Sequence, residues 1–267
     1  MITRVIVVGA AGRMGQSLIR AVTEQEGMRL VGATERQGSP MLGRDAGELT
    51  DVGALGIAIE SDLRACSRAD VLVDFTAPES TLAHARFAAE QGMRMVVGTT
   101  GFSSQQLDGL KSILTSVPVL MASNYSVGVN LTIELARRTA SVLGPDYDAE
   151  IVDAHHRHKV DAPSGTALSL GESVAEGRGV SLEDKAVYAR QGITGAREAG
   201  AIGFSVIRAG DIVGEHTVMF AGAGERLEIK HVATDRMTFA HGAIRGTKWL
   251  MDQNVGWYDM QDVLNPS

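Results

Sequence analysis

The sequence predicts an α/β fold: a doubly wound parallel sheet, followed by a second α+β domain built on an open mixed sheet. Three features predict it. Near-continuous apolar runs alternate with helical patterns through the first half of the chain. A glycine-rich turn joins the first such run to the first helix. After Asn124 the pattern changes, and strands separated by Gly-rich turns predominate. Strands that are apolar at every position are buried on both faces, which helices on both sides of a parallel sheet provide. The right-handed crossover preference then makes the sheet doubly wound.

The elements follow in order. Residues 2–8 form a β-branched apolar run, and Met14, Leu18, Ile19 and Val22 mark one stripe of the helix after it. A second strand, 29–34, ends at Glu35, and a third, 71–73, ends at Asp74-Phe75-Thr76. A helix over 80–91 leads to strand 95–97 and then to Gly98-Thr99-Thr100-Gly101. A helix over 103–114 leads to strand 117–121. Val129, Ile133, Ala136, Ala140 and Leu143 share a stripe of helix 129–143, which Gly144-Pro145 ends. Strands are expected at 148–154, 202–209, 214–221 and 226–232, which suits a largely antiparallel arrangement. Residues 191–200, with Gly192, Gly195 and Gly200, read as a mobile loop. A last helix, 237–251, carries Phe239, Ala243 and Leu250 on one stripe and is expected to pack back on the first domain.

Composition narrows the function. The 267 residues include 32 Asp and Glu against 25 Lys and Arg, a net charge of −7. An acidic chain has no general attraction for a phosphate polymer, so nucleic acid is not expected as a partner. Cys66 is the only cysteine, so no intrachain disulfide can form, which fits a reducing compartment. No apolar run approaches the roughly 20 residues that a membrane span needs. The chain opens on a strand pattern, not a signal peptide. A cytoplasmic location with no membrane partner is the expectation.

Gly9-Ala10-Ala11-Gly12-Arg13-Met14-Gly15 follows a strand and opens a helix. Glycine there lets the backbone approach a pyrophosphate, and the helix N-terminus offers N–H groups and a positive dipole end. The spacing departs from Gly-x-Gly-x-x-Gly, so the loop alone is weak evidence. Glu35 strengthens it: 20 residues past Gly15, at a strand end, an acid accepts from ribose hydroxyls. Arg36, and Arg13 within the loop, are placed to pair with a 2′-phosphate. Phe75 and Gly98-Thr99-Thr100 lie at the same predicted sheet edge. The expected cofactor is NADH or NADPH, on a Rossmann-type sheet.

His155-His156-Arg157-His158-Lys159 is a cationic run in an acidic chain. On an extended strand His155, Arg157 and Lys159 would share a face; a bend near His156 would gather more of them. Imidazole titrates near neutral pH and suits proton transfer. A metal site is not expected, because no cysteine joins the cluster and the adjacent Arg and Lys would repel a cation. Pro163 favours a helix entrance, and Ser164 or Thr166 can cap the helix. The N–H groups of such a helix end would hold a carboxylate or phosphate. The substrate is thus expected to be a small anion that takes a proton. A semialdehyde dehydrogenase would need a thiolate in the second half, where none exists. A non-catalytic NAD(P)-sensing regulator stands as the alternative, since a cofactor fold does not prove turnover.

The run His155 to Thr166 resembles the signature Glu-x-x-His-His-x-x-Lys-x-Asp-x-Pro-Ser-Gly-Thr-Ala of the 4-hydroxy-tetrahydrodipicolinate reductase family. The acidic residue ahead of the paired histidines is Glu150 or Asp153, and neither is assigned a role. The resemblance extends over nearly the whole chain and includes Asn124-Tyr125-Ser126-Val127-Gly128 and the run Arg208 to His216. It implies His155 and Lys159 as catalytic groups. It implies His156, Ser164, Gly165, Thr166 and Arg236 as substrate contacts. Cofactor contacts would be Gly9, Ala10, Ala11, Gly12, Arg13, Met14, Glu35, Arg36, Gly98, Thr99, Thr100, Ala122, Ser123, Asn124 and Tyr125, with Phe75 beside them. Ser123 and Tyr125 depart from the Ala and Phe common in the family. The resemblance also implies a homotetramer, a dicarboxylate substrate in lysine and diaminopimelate biosynthesis, and use of either cofactor. The domain reading is residues 1–126 plus 237–267 for the dinucleotide, and 127–236 for substrate binding and oligomerisation.

Overall fold

The computed structural model describes residues 2–265. In chain order the elements begin with β1 (Thr3–Val8), α1 (Arg13–Glu24), β2 (Met28–Thr34), β3 (Ile59–Glu60), β4 (Val71–Asp74) and α2 (Pro78–Gln91). Then come β5 (Arg94–Val97), α3 (Ser104–Ile113), β6 (Pro118–Met121), α4 (Val127–Leu143), β7 (Asp148–His155), α5 (Gly165–Arg178) and α6 (Leu182–Lys185). The chain finishes with β8 (Ala186–Val187), β9 (Ile202–Arg208), β10 (Gly214–Ala221), β11 (Arg226–Ala233), α7 (Met237–Leu250), β12 (Gly256–Tyr258) and α8 (Met260–Leu264). Two units result: one runs to Val127 and resumes at Arg236, and the other is Gly128–Asp235. No helix among the described residues is long and apolar enough to cross a membrane.

The first unit holds a seven-stranded sheet in the order β12-β6-β5-β4-β1-β2-β3. Every pairing is parallel. Strand parity divides its core. Ile6, Val8, Leu72, Met95 and Val97 face Ala85 and Ala88 of α2 and Leu110 of α3. Val5, Val7, Val71, Val73 and Val96 face Leu18, Ile19 and Val22 of α1 and Ala243 and Ile244 of α7. Burying each such aliphatic side chain contributes about 1.5–3 kcal/mol, so a one-residue slip of a strand would be costly. Local signals end the helices. Pro78 opens α2 and Gly92, at φ 64°, closes it. Ser103 caps α3, accepting from the Gln106 N–H while Gln106 Oε1 accepts from the Ser103 N–H.

The second unit holds a five-stranded sheet in the order β11-β10-β7-β9-β8. Strand β10 is antiparallel to β11 and β7, whereas β9 is parallel to β7 and β8. The sheet is therefore less antiparallel than the strand pattern suggests. The reason is α5, which lies between β7 and the strands after it and provides the long crossover that parallel pairing requires. One face is covered: Ile151, Phe204, Val218 and Phe220 pack with Ala136 and Ala140 of α4 and Ala167, Leu170 and Val174 of α5.

The loop read as mobile is tied down. Arg190 donates to both Glu150 oxygens at 2.9 Å, and Arg197 donates to Glu150 and Asp148 at 3.0 and 2.8 Å. Burial pushes the Glu150 carboxyl up, but the two guanidinium groups outweigh it and hold it below its usual range. Residues 191–196, 198 and 199 stay exposed, Ile193 fully so.

Candidate active site

Because the first sheet is parallel, its strands all end at one edge. The strand order reverses about β1, whose neighbours are β2 on one side and β4 on the other. Ligands of such sheets lie in the crevice at that reversal. The glycine loop sits there. Gly9 has φ +67°, and a Cβ on Gly15 would lie 2.1 Å from the Gly9 carbonyl oxygen, so α1 closes on the loop only with glycine. Gly12 caps α1 without a side-chain bond, leaving its first-turn N–H groups for a ligand. Glu35 bridges back to the loop: its Oε2 accepts from the Ala11 N–H at 3.1 Å, and its Oε1 from the Arg36 N–H at 3.0 Å. A cavity of about 430 Å³ opens beside it, lined by Gly9, Thr34, Glu35, Arg36, Thr76 and His84 among others. The close-packed glycines, the uncapped helix end and the acid at the strand end fit a dinucleotide.

Arg13, Arg36, Thr100 and Ser123 are exposed around this crevice, and Ala11, Met14, Phe75, Gly98 and Ala122 are half-buried. Asn124 Oδ1 accepts from the Ser126 N–H at 2.8 Å and shapes the turn after β6. Three expected contacts have buried side chains: Ala10, Thr99 and Tyr125 are at most 2% exposed, so only their main chain is open to a ligand. The Tyr125 hydroxyl is 2.9 Å from the carbonyls of Val97 and Leu120, its ring lies 5.1 Å from that of Phe75, and burial pushes its phenol up. The Thr99 hydroxyl accepts from the Thr76 N–H and contacts Thr81.

Sequence reasoning passed over Asp74. This carboxylate, wholly buried at the end of β4, accepts from the Thr76 N–H at 2.9 Å and the Thr76 hydroxyl at 2.6 Å. Its other oxygen is 2.8 Å from His84 Nδ1. It pins the turns that floor the crevice, and an acid closing an apolar strand was the available signal.

If Arg36 reads a 2′-phosphate, Arg36→Ala raises KM for NADPH more than for NADH. The check is kcat/KM with each cofactor, and an unchanged ratio would remove Arg36 from that role.

The second cluster lies on the covered face of the second sheet. Ala149, Ile151, Asp153 and His155 are buried along one face of β7, and Gly214, His216, Val218 and Phe220 along one face of β10. The apolar face thus turns polar where β7 ends. Register places His216 opposite Asp153, and Arg208 opposite His155. His155 Nδ1 lies 2.7 Å and His216 Nε2 3.3 Å from Asp153 Oδ1. Asp153 Oδ2 accepts from the Ser164 N–H at 2.8 Å and from Arg208 at 3.1 Å. Burial pushes the Asp153 carboxyl up, but His155, His216, the Ser164 N–H and Arg208 together hold it far below the usual carboxylate range. Asp153, His155 and His216 bring potential metal-ligand atoms within 4.8 Å of one another. Arg208, on the same carboxylate, opposes a cation there.

After His155 the cationic run bends. The Lys159 N–H donates to the His156 carbonyl, and the Arg157 N–H to the Gly210 carbonyl. Lys159 Nζ pairs with Asp161 at 2.8 Å, and the His156 and His158 rings are 6.4 Å apart. Ser164 caps α5, its hydroxyl accepting from the Ala167 N–H at 3.2 Å and lying 3.1 Å from His216 Nε2. At 2% exposure that hydroxyl is committed within the protein, as the cap the sequence allowed. Gly165 is exposed at the start of the helix, and Thr166 and His156 are half-buried. Arg236 falls with the first unit, as the residue before α7. Asp153, Arg208 and His216 are the members that sequence reasoning missed. Glu150, the other candidate acid, is engaged by the loop arginines instead.

A family model described as "Dihydrodipicolinate reductase, N-terminus" matches residues 3–125, and "Dihydrodipicolinate reductase, C-terminus" matches residues 128–264. The chain belongs to the dihydrodipicolinate reductase family. It is 54% identical over 265 residues to the 4-hydroxy-tetrahydrodipicolinate reductase of Alkalilimnicola ehrlichii, covering 99% of each chain. It is 53% identical to that of Methylococcus capsulatus, covering 99% of this chain and 98% of the relative. A dipicolinate-bound dihydrodipicolinate reductase from Paenisporosarcina sp. TG-14 superposes with a TM-score of 0.76 at 24% identity, covering 97% and 98% of the two chains; this supports the fold. As a member of this family the chain is an NAD(P)H-dependent oxidoreductase of lysine and diaminopimelate biosynthesis. Thiol catalysis finds no support: burial pushes the Cys66 thiol up to about 11.

Proposed function

We propose that this chain reduces 4-hydroxy-tetrahydrodipicolinate, after loss of water to dihydrodipicolinate, to tetrahydrodipicolinate. The observation that carries the reading is a nearly buried imidazole, His155, set against a carboxylate two residues before it and near a helix N-terminus. A bound NADH or NADPH supplies hydride to ring carbon C4. The chain's own residues then do the rest. Negative charge builds towards the ring nitrogen, and His155 Nε2 delivers the proton, supported by the Lys159 ammonium. The backbone of Gly165 and Thr166, with His156, holds the substrate carboxylates, since N–H groups at a helix start favour anions. Glu35 receives the adenosine ribose. The protein would work as a cytoplasmic homotetramer joined through the second sheet, with no nucleic acid partner. In support, Ile207 and Val232, on the face opposite the core, are 46% and 45% exposed.

The test is a coupled assay with pyruvate, aspartate semialdehyde, the preceding synthase and either cofactor. Synthase-dependent cofactor oxidation is expected. Cofactor binding without oxidation would instead mark a sensor.

A further inference from the structure

We propose that Asp153 is the positioning residue for the proton donor, orienting the His155 ring, while Gly214 keeps the opposite ring nitrogen clear. The proposal rests on the role given to His155 above. Asp153 and His155 are two apart on β7, so their side chains share a face. Three elements besides β7 fix the carboxylate: Arg208 from β9, His216 from β10, and the Ser164 N–H at the start of α5. At 1% exposure and so bound, it has no freedom to turn away.

The arrangement dictates which nitrogen works. Nδ1 faces Asp153, so a protonated ring presents Nε2–H on its far side. There Gly214 has no side chain; the Cβ of an alanine would sit 3.2 Å from Nε2. On proton transfer the Nε2–H bond breaks, the proton joins the reduced substrate anion, and the neutral ring keeps its Nδ1 proton against Asp153. Solvent restores the proton at Nε2. The ionisable groups facing His155 are Asp153, His216 from β10 and Arg208 from β9, with the Lys159–Asp161 pair in the following loop. Of these, Asp153 is the anion in contact.

The experiment compares kcat and KM for the wild type, Asp153→Asn, Asp153→Glu, His155→Ala and the Asp153→Asn/His155→Ala pair. Asp153→Asn is expected to lower kcat by about 10- to 100-fold, with KM for NADH unchanged. Asp153→Glu is expected to restore most of that loss. The double variant is expected to be no slower than His155→Ala alone, because Asp153 acts through His155. Unchanged kcat in Asp153→Asn, or a further loss in the double variant, would overturn the proposal. Wild-type turnover by His155→Ala would instead overturn the role of His155 itself. Should Asp153→Asn fail to fold, Gly214→Ala decides. About a tenfold fall in kcat at unchanged KM for NADH is expected, and unchanged turnover refutes the geometry.

Discussion

His155→Ala is expected to lower kcat by about 10²–10⁴-fold, the range for loss of a positioned general acid. KM should change less. In the proposed mechanism the imidazole meets the charge that develops during reduction, whereas the carboxylates already present in the substrate are assigned to other groups. A fall in kcat with little change in KM is the signature of an interaction made in the transition state. The fold should survive, since Asp153 keeps Arg208, His216 and the Ser164 N–H when His155 is truncated. Steady-state kinetics with each cofactor and a thermal melt separate the two effects. Wild-type turnover would remove His155 from the chemistry.

Gly242→Ala is expected to destabilise the protein by about 3 kcal/mol, at the upper end of overpacking costs. Helix propensity alone argues the other way, favouring alanine by about 1 kcal/mol inside a helix such as α7. Packing decides the sign. The added Cβ would lie 1.7 Å from the Tyr125 carbonyl oxygen, which is main chain and cannot rotate aside. The Tyr125 segment cannot easily retreat, because its ring is fully buried and its hydroxyl is held between two strand-end carbonyls. The melting temperature should fall by about 6–12 °C for a chain of this size. An equal or higher value would show that α7 has slack against β6.

The first sheet was legible because its signals are local. Val5 to Val8, Leu72 and Val97 advertise two-sided burial, and Gly9 to Gly15 announces the strand-to-helix turn. Strands of two or three residues, such as β3, β8 and β12, offered too few positions to show any period. The cluster around Asp153 was half legible for the same reason. His155, Lys159 and Ser164 lie in one short run. Arg208 and His216 come from strands some 50 to 60 residues later, and only the pairing of β7 with β9 and β10 brings them to Asp153. The run from Arg208 to His216 stood out in sequence, but nothing local said what it faced. The burial of Tyr125 and Thr99 was not legible locally: the hydroxyl of each satisfies backbone groups of its own sheet.

The bond from the Ala11 N–H to Glu35 has a practical consequence for anyone redesigning coenzyme choice. Exchanging an acid at this position for a neutral or basic residue is an obvious route to a different nucleotide preference. Here the same carboxylate also fastens the phosphate loop to the end of β2. Substitution would loosen the loop while it altered ribose selection, so one side chain cannot be tuned for preference and for loop rigidity separately. A switch engineered at Arg36, whose side chain is exposed and only its main chain bonded to Glu35, would leave that fastening in place.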